Sequence, residues 1–248
     1  MPTSWWEGVR PKNKFAPNFR VPLYYAKDGS IELMKTMKQY CIDMEQGIIA
    51  KEELVSEVPK NDSDPYQYTQ QWKQHHLLDD SIPRKGGEAF EKFPPIPETR
   101  DLFNMFRSHY LLHLKNLGFP RKRVFIHAWA NVLRKDQFIS RHMHLSDEHS
   151  YLSGTYYVSN SHAKLALENP IRQQELSYFP NDAGNLILFP SWLPHYSEVY
   201  TGPEERVSIA FDIVVHENAR ANPWRPHELF DDPDTMPCLL YTSPSPRD

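Results

Sequence analysis

Glycine and cysteine are both scarce in this chain of 248 residues, and each scarcity excludes a class of protein. The sequence contains 9 Gly and 22 Pro, and it has no glycine-rich phosphate-binding loop. A nucleotide-binding fold of the strand, glycine loop and helix type therefore has no support. Cys41 and Cys238 are the only cysteines. A disulfide framework and a thiolate metal cluster are both excluded.

Long apolar runs and an excess of positive charge are also missing. The formal net charge is −4, so nothing in the charge balance predicts a nucleic-acid partner. No stretch approaches the length that spans a membrane, and the first fifteen residues, MPTSWWEGVRPKNKF, lack the apolar region of a signal peptide. We expect a soluble, cytoplasmic protein that binds neither membranes nor nucleic acid.

Helical spacing of apolar residues dominates the first half of the chain. Ser30 is predicted to cap a helix that starts at Ile31, and Thr99 to cap another that ends at Gly118. Two weaker helical candidates are Lys51–Val58 and Tyr66–Leu78.

From Val124 onward the apolar period changes from helical to two, which is typical of strands. The predicted strands are Val124–Leu133, Phe138–His144, Tyr151–Val158, Lys164–Leu167, Leu186–Phe189 and Arg206–Val215. Helices followed by many short strands predict a mainly β fold with N-terminal helices, a β-sandwich or barrel backed by helices.

Four regions follow from this division. Residues 1–120 form a helical part packed on the barrel, 121–220 the β core, and 221–237 a C-terminal extension. The last eleven residues, CLLYTSPSPRD at 238–248, resemble a translated sequencing adapter. We expect this tail to be non-native and to belong to no element of the fold.

His142 and His144, in the stretch SRHMHLSDEHS, are the first candidates for a metal site. Residues two apart leave the same face of a strand, so both imidazoles could reach one metal ion. The motif is weak alone, because the chain has 12 His and two polar residues on a half-exposed strand would look the same.

Three later features strengthen the metal interpretation. His195 ends an apolar strand and a proline-bracketed turn, although a core histidine would also fit there. Arg206 begins a predicted strand and shares one face of it with Ser208. If Arg206 is buried, its guanidinium needs an anionic partner; if the strand lies at an edge, Arg206 could pair with a neighbouring glutamate. Tyr157 lies on a strand where its phenol could donate to the same anion, or simply pack.

In combination these motifs resemble the Fe(II)/2-oxoglutarate-dependent oxygenases, and more narrowly a hydroxylase branch with an H-x-H…H…R pattern and prolyl-hydroxylase-like strands. The resemblance covers roughly Val124 to Val215. Its motifs are Trp129-Ala130-Asn131, His142-Met143-His144, Ser153-Gly154-Thr155-Tyr156-Tyr157, and the turn from Phe189 to His195.

The resemblance implies a double-stranded β-helix, a jelly-roll or cupin-like barrel, that hydroxylates a substrate and forms succinate and CO2. It assigns Fe(II) to His142, His144 and His195 as the catalytic metal ligands, with O2 as the oxidant. It assigns the distal carboxylate of 2-oxoglutarate to Arg206, helped by Ser208 and Tyr157.

The sequence departs from the usual ligand set, because His144 stands where such enzymes carry Asp or Glu. An alternative third ligand is a carboxylate from Asp147 or Glu148, with His144 behind it. A different class of function also stays open, a non-catalytic cupin-like metal-binding module. The substrate could be a small molecule or a peptidyl residue, and the N-terminal helices could shape a pocket or mediate a homodimer.

Overall fold

The computed structural model of the protein describes residues 2–8, 13–16, 18–55, 97–121, 124–144, 150–161, 163–215 and 227–229. The predicted helix Tyr66–Leu78, the end of the candidate Lys51–Val58, Asp147, Glu148 and the tail at 238–248 lie outside these residues.

Two helices are present in the described part of the chain, α1 over Ile31–Val55 and α2 over Pro97–Leu117. The amide of Leu33 donates to Ser30 Oγ at 3.0 Å, so Ser30 caps α1 as predicted. The helix α2 ends in a Schellman arrangement: Gly118 has a φ of 69°, and the Phe119 amide donates to the Leu114 carbonyl at 3.0 Å.

The start of α2 differs from the prediction. The helix begins at Pro97, two residues before Thr99, because proline fits the first helical turn, where its missing amide hydrogen is not needed. Thr99 lies buried inside the helix, and its hydroxyl has no hydrogen-bond partner. The prediction that Thr99 caps this helix is wrong.

Ten strands form two antiparallel sheets among the described residues. Their bounds are β1 Thr3–Glu7, β2 Arg20–Lys27, β3 Val124–Leu133, β4 Ser150–Tyr157, β5 Leu165–Glu168, β6 Leu176–Phe179, β7 Asn185–Pro190, β8 His195–Ser197, β9 Arg206–Val215 and β10 His227–Leu229. The larger sheet has the order β1-β2-β7-β4-β9-β3-β10, and the smaller one β6-β5-β8.

Each face of the larger sheet packs against a different layer. One face buries Val207, Ile209 and Phe211 of β9 against α1 and α2, where the Phe211 ring stacks on Phe106 with centroids 4.2 Å apart. The opposite face packs on the smaller sheet through a second apolar cluster that includes Ile187 of β7. The predicted mainly β fold with helices on one side is confirmed.

Part of this architecture differs from the predictions. Neither β1 nor β2 was predicted, although both extend the larger sheet from within the region 1–120. The predicted strand Phe138–His144 is not a regular strand either, and its β-pairing is an isolated antiparallel bridge between His142 and His195. It lies at the open edge of β8, and this position brings the histidines together.

Candidate metal centre and cosubstrate pocket

His142 and His195 are joined through their backbones. Each amide donates to the other residue's carbonyl at 3.0 Å. The two side chains therefore lie side by side on neighbouring backbone segments, with ring centroids 4.2 Å apart. The His144 amide donates to the Ser191 carbonyl at 3.0 Å, which extends the same pairing by two residues. His142 and His144 therefore share one side of the chain, as their spacing predicts.

The three imidazoles converge on one point. His142, His144 and His195 each offer a ligand atom, and these atoms lie within 4.8 Å of one another. His142 Nδ1 lies 2.8 Å from the Ser140 carbonyl oxygen, and His195 Nδ1 lies 2.9 Å from that of Leu193. Each Nδ1–H donates to a carbonyl, so in both neutral rings Nε2 is the nitrogen that carries the lone pair for a metal ion.

His144 is oriented differently, by a carboxylate. Its Nδ1 lies 2.5 Å from Asp212 Oδ1, and its Nε2 is buried without a hydrogen-bond partner. A buried imidazole nitrogen without a partner is costly unless a ligand completes it. The ring of Trp129 lies beside His144, with centroids 5.5 Å apart.

Asp212 was not among the predicted site residues. It belongs to the face of β9 that also carries Arg206 and Ser208, and strand alternation from those two residues would have located it. The two predicted alternative carboxylates, Asp147 and Glu148, lie outside the described residues.

Arg206 is deeply buried on that face, with 1% of its surface exposed. Its Nε and Nη1 have no hydrogen-bond partner within the described part of the chain. Its guanidinium carbon lies 5.4 Å from the ring centroid of Tyr157. Arg206 forms no ion pair with Glu204 or Glu205, the neighbouring glutamates with which it could have paired at a sheet edge. Oε2 of Glu204 lies 3.7 Å from Nζ of Lys38 instead.

Further polar groups that can donate hydrogen bonds lie near Arg206. The hydroxyls of Tyr157 and Ser208 are buried without partners, and so is Nδ2 of Asn181. Burial lowers the pKa of Arg206, while the phenol group of Tyr157 opposes that effect. Burial also raises the pKa of Tyr157, against the nearby guanidinium. The phenol is therefore a neutral donor at physiological pH.

One cavity joins these two groups. The residues that line it include His142, His144, His195, Arg206, Ser208 and Tyr157, with Trp129, Asn131, Thr155 and Ala210 on the wall between them. The chemistry of the donors fits an anion that also binds metal: the imidazoles present lone pairs at one side, and the unsatisfied donors present hydrogens at the other. A dicarboxylate such as 2-oxoglutarate has matching acceptors for both.

Residues 164–212 match the family model described as "Putative 2OG-Fe(II) oxygenase". The matched segment contains His195, Arg206, Ser208 and Asp212. No curated protein sequence matches the chain closely enough to count as a relative.

Three solved structures are among those to which the chain is similar. The non-heme alpha ketoglutarate dependent carbocyclase SnoK from nogalamycin biosynthesis superposes with a TM-score of 0.51 and 10% identity, over 82% of this chain and 88% of that chain. A Pseudomonas putida prolyl-4-hydroxylase matches at a TM-score of 0.47 and 11% identity, over 77% and 88%. A Burkholderia pseudomallei oxidoreductase of the 2OG-Fe(II) oxygenase family matches at 0.41 and 17%, over 49% of this chain and 60% of that chain.

The likeness to SnoK shows a shared fold. The described part of this chain contains no helix that is both long and apolar enough to cross a membrane. The narrower hydroxylase branch is still a prediction. The family match and the double-stranded β-helix fold together confirm that this chain resembles the Fe(II)/2-oxoglutarate-dependent oxygenase superfamily, as its motifs predicted.

Proposed function

We propose that this protein is an Fe(II)- and 2-oxoglutarate-dependent dioxygenase that hydroxylates a small-molecule or peptidyl substrate. One observation carries the proposal: three convergent imidazoles line the same cavity as a buried arginine whose Nε and Nη1 lack hydrogen-bond partners. His142, His144 and His195 are the proposed Fe(II) ligands. Fe(II), 2-oxoglutarate and O2, when bound, would supply the oxidation of a substrate C–H bond with release of succinate and CO2.

The protein's own residues bind, orient and exclude water. Three ligands from one side of the metal leave its other positions open. Arg206, with the hydroxyls of Ser208 and Tyr157, would donate to the distal carboxylate of 2-oxoglutarate and set its direction along the cavity. Since Arg206 and both hydroxyls are buried, water does not compete with these donors.

The unpaired donors also argue against the alternative, a non-catalytic cupin-like metal-binding module. Such a module needs the imidazoles only, and it would gain nothing from a buried guanidinium without a partner. An anion-binding end of the cavity is what a cosubstrate requires.

The test is to titrate the purified protein anaerobically with Fe(II), then add 2-oxoglutarate and O2 and measure succinate. We expect one Fe(II) per chain and succinate formation even without a substrate. His144→Ala should weaken Fe(II) binding at least tenfold, and His144→Asp should retain it, because a carboxylate can replace the imidazole as ligand. His109→Ala is the matched control, since His109 lies on α2, beyond the opposite face of the larger sheet.

Two results would contradict the assignments. Unchanged Fe(II) affinity in His144→Ala would remove His144 from the ligand set and favour the carboxylate of Asp147 or Glu148. Bound Fe(II) with no succinate under any condition would favour the non-catalytic module.

A further inference from the structure

Three neutral histidine ligands would leave the positive charge of a divalent metal ion without a negative charge from the protein. Asp212, which contacts His144, provides such a negative charge. The described residues place no carboxylate among the three converging imidazoles. Asp212 reaches the site through His144, since its Oδ1 accepts from His144 Nδ1 at 2.5 Å. The negative charge is thus one imidazole ring away from the proposed metal.

One serine, Ser153, holds the Asp212 carboxylate in place, and a second serine, Ser191, contacts the first. Ser153 Oγ lies 2.6 Å from Asp212 Oδ1 and 3.2 Å from His144 Nδ1, so it contacts both members of the pair. Ser153 also lies 3.0 Å from Ser191 Oγ, and the Ser191 carbonyl accepts the His144 amide. Ser153 and Ser191 are both buried.

The pair is shielded from solvent. The side chains of His144 and Asp212 are 11% and 13% exposed, and the Trp129 ring lies against His144. A carboxylate with little solvent acts strongly on a nearby charge, because the effective dielectric constant is low. His142 and His195 differ from His144, since the Nδ1 atom of each donates to a backbone carbonyl and not to a carboxylate.

We propose that Asp212 is a positioning residue that holds His144 with its Nε2 toward the metal and supplies the charge that a carboxylate ligand would otherwise contribute. This inference rests on the proposed function. Carboxylates that accept from the far nitrogen of a metal-bound histidine fix its tautomer and increase its basicity, and their loss typically weakens metal binding by about 10- to 100-fold.

The first experiment measures the Fe(II) dissociation constant by anaerobic calorimetry without 2-oxoglutarate. We expect Asp212→Asn, which keeps an acceptor oxygen but removes the charge, to weaken Fe(II) by about 10- to 100-fold. Asp101→Asn, at an exposed position on α2, is the matched control and should leave the affinity unchanged. The loss should be smaller when 2-oxoglutarate is present, because the dianion brings its own charge to the metal.

The second experiment separates a role toward the metal from a role in folding. In the His144→Asp background the ligand carries the charge itself and no Nδ1–H remains. Asp212→Asn should therefore cost little Fe(II) affinity there. An equal loss in both backgrounds would overturn the proposal, because Asp212 would then act through the fold.

If Asp212→Asn does not fold, Ser153→Ala replaces it. This variant keeps the charge but removes one hydrogen bond to the carboxylate, and a few-fold loss of Fe(II) affinity is expected. Unchanged affinity in Ser153→Ala would then refute the proposal. The two proposals fail differently: a wild-type protein that binds no Fe(II) refutes the proposed function, whereas a wild type and an Asp212→Asn variant that bind Fe(II) equally refute only the role of Asp212.

Discussion

Replacing Arg206 with methionine should make the protein more stable and at the same time abolish tight 2-oxoglutarate binding. Methionine has a similar length and no charge, so the variant removes the buried guanidinium whose Nε and Nη1 lack partners. Replacing buried charged groups by apolar side chains of similar volume is often stabilising by about 1–4 kcal/mol. Loss of the contact with the Tyr157 ring offsets about 1 kcal/mol of that gain.

We therefore expect the free energy of unfolding to rise by about 2 kcal/mol in Arg206→Met without cosubstrate. For a domain of this size, that corresponds to an increase in Tm of roughly 4–8 °C. The affinity for 2-oxoglutarate should fall at least about 30-fold, since truncating a buried charge that pairs with a ligand costs about 2 kcal/mol or more. Urea unfolding gives the first quantity, and calorimetry on the Fe(II)-loaded protein gives the second.

Arg134→Met is the matched control, because it should change stability in the opposite direction. Arg134 donates through Nη1 and Nη2 to the carboxylate of Glu45 at 2.9 and 2.8 Å, and Glu45 is 1% exposed. Removing Arg134 leaves a buried carboxylate unpaired, so we expect a loss of about 1–2 kcal/mol, reduced from the value for a fully buried pair because the arginine is partly exposed. If Arg206→Met is destabilised as well, Arg206 is satisfied within the fold and the argument for a cosubstrate site fails.

Three further predictions concern the sheet, the helix layer and the phenol. Gly154→Ala should destabilise the protein by about 1–3 kcal/mol in urea unfolding, because a Cβ there would lie 2.3 Å from Cζ of the Phe211 ring; an unchanged midpoint would mean that the ring moves freely. Burial lowers the pKa of His113 to about 4, from the value of 6.5 that an exposed histidine has in an unfolded chain. Between pH 6.5 and pH 4 the unfolded state therefore binds a proton that the folded state does not bind. Stability should drop by up to about 3 kcal/mol across that window, and His113→Phe should flatten the dependence. Tyr157→Phe should not lower apo stability, because the buried hydroxyl that it removes has no hydrogen-bond partner among the described residues. It should weaken 2-oxoglutarate binding by about 3- to 10-fold in calorimetry; unchanged affinity would exclude the phenol from the site.

Local patterns predicted much of the β core. The bounds of β3 and β9 agree with the predicted strands, because both have long alternating runs whose two faces are buried in different layers. The caps at Ser30 and Gly118 were also predictable, since they depend on one residue's side chain or its allowed φ. The strands β1 and β2 were not, because the hydrogen bonds that define them come from distant β7 and from each other.

For the site, the order of His142, His144, His195 and Arg206 along the chain predicted which residues to consider. It did not predict that the segment of His142 would bridge to β8 without forming a strand. The missing carboxylate was sought close in sequence, at Asp147 and Glu148, whereas the one that contacts His144 comes from β9.

The sequence by itself determined which side chains share a face. Alternation along β9 places Arg206, Ser208 and Asp212 on one side and Val207, Ile209 and Phe211 on the other, because successive side chains of any strand point in opposite directions. Only the tertiary structure decided which faces meet. His144 contacts Asp212, which lies 68 residues further along the chain. Strand pairing and sheet packing bring such distant segments together, and the local sequence does not specify them.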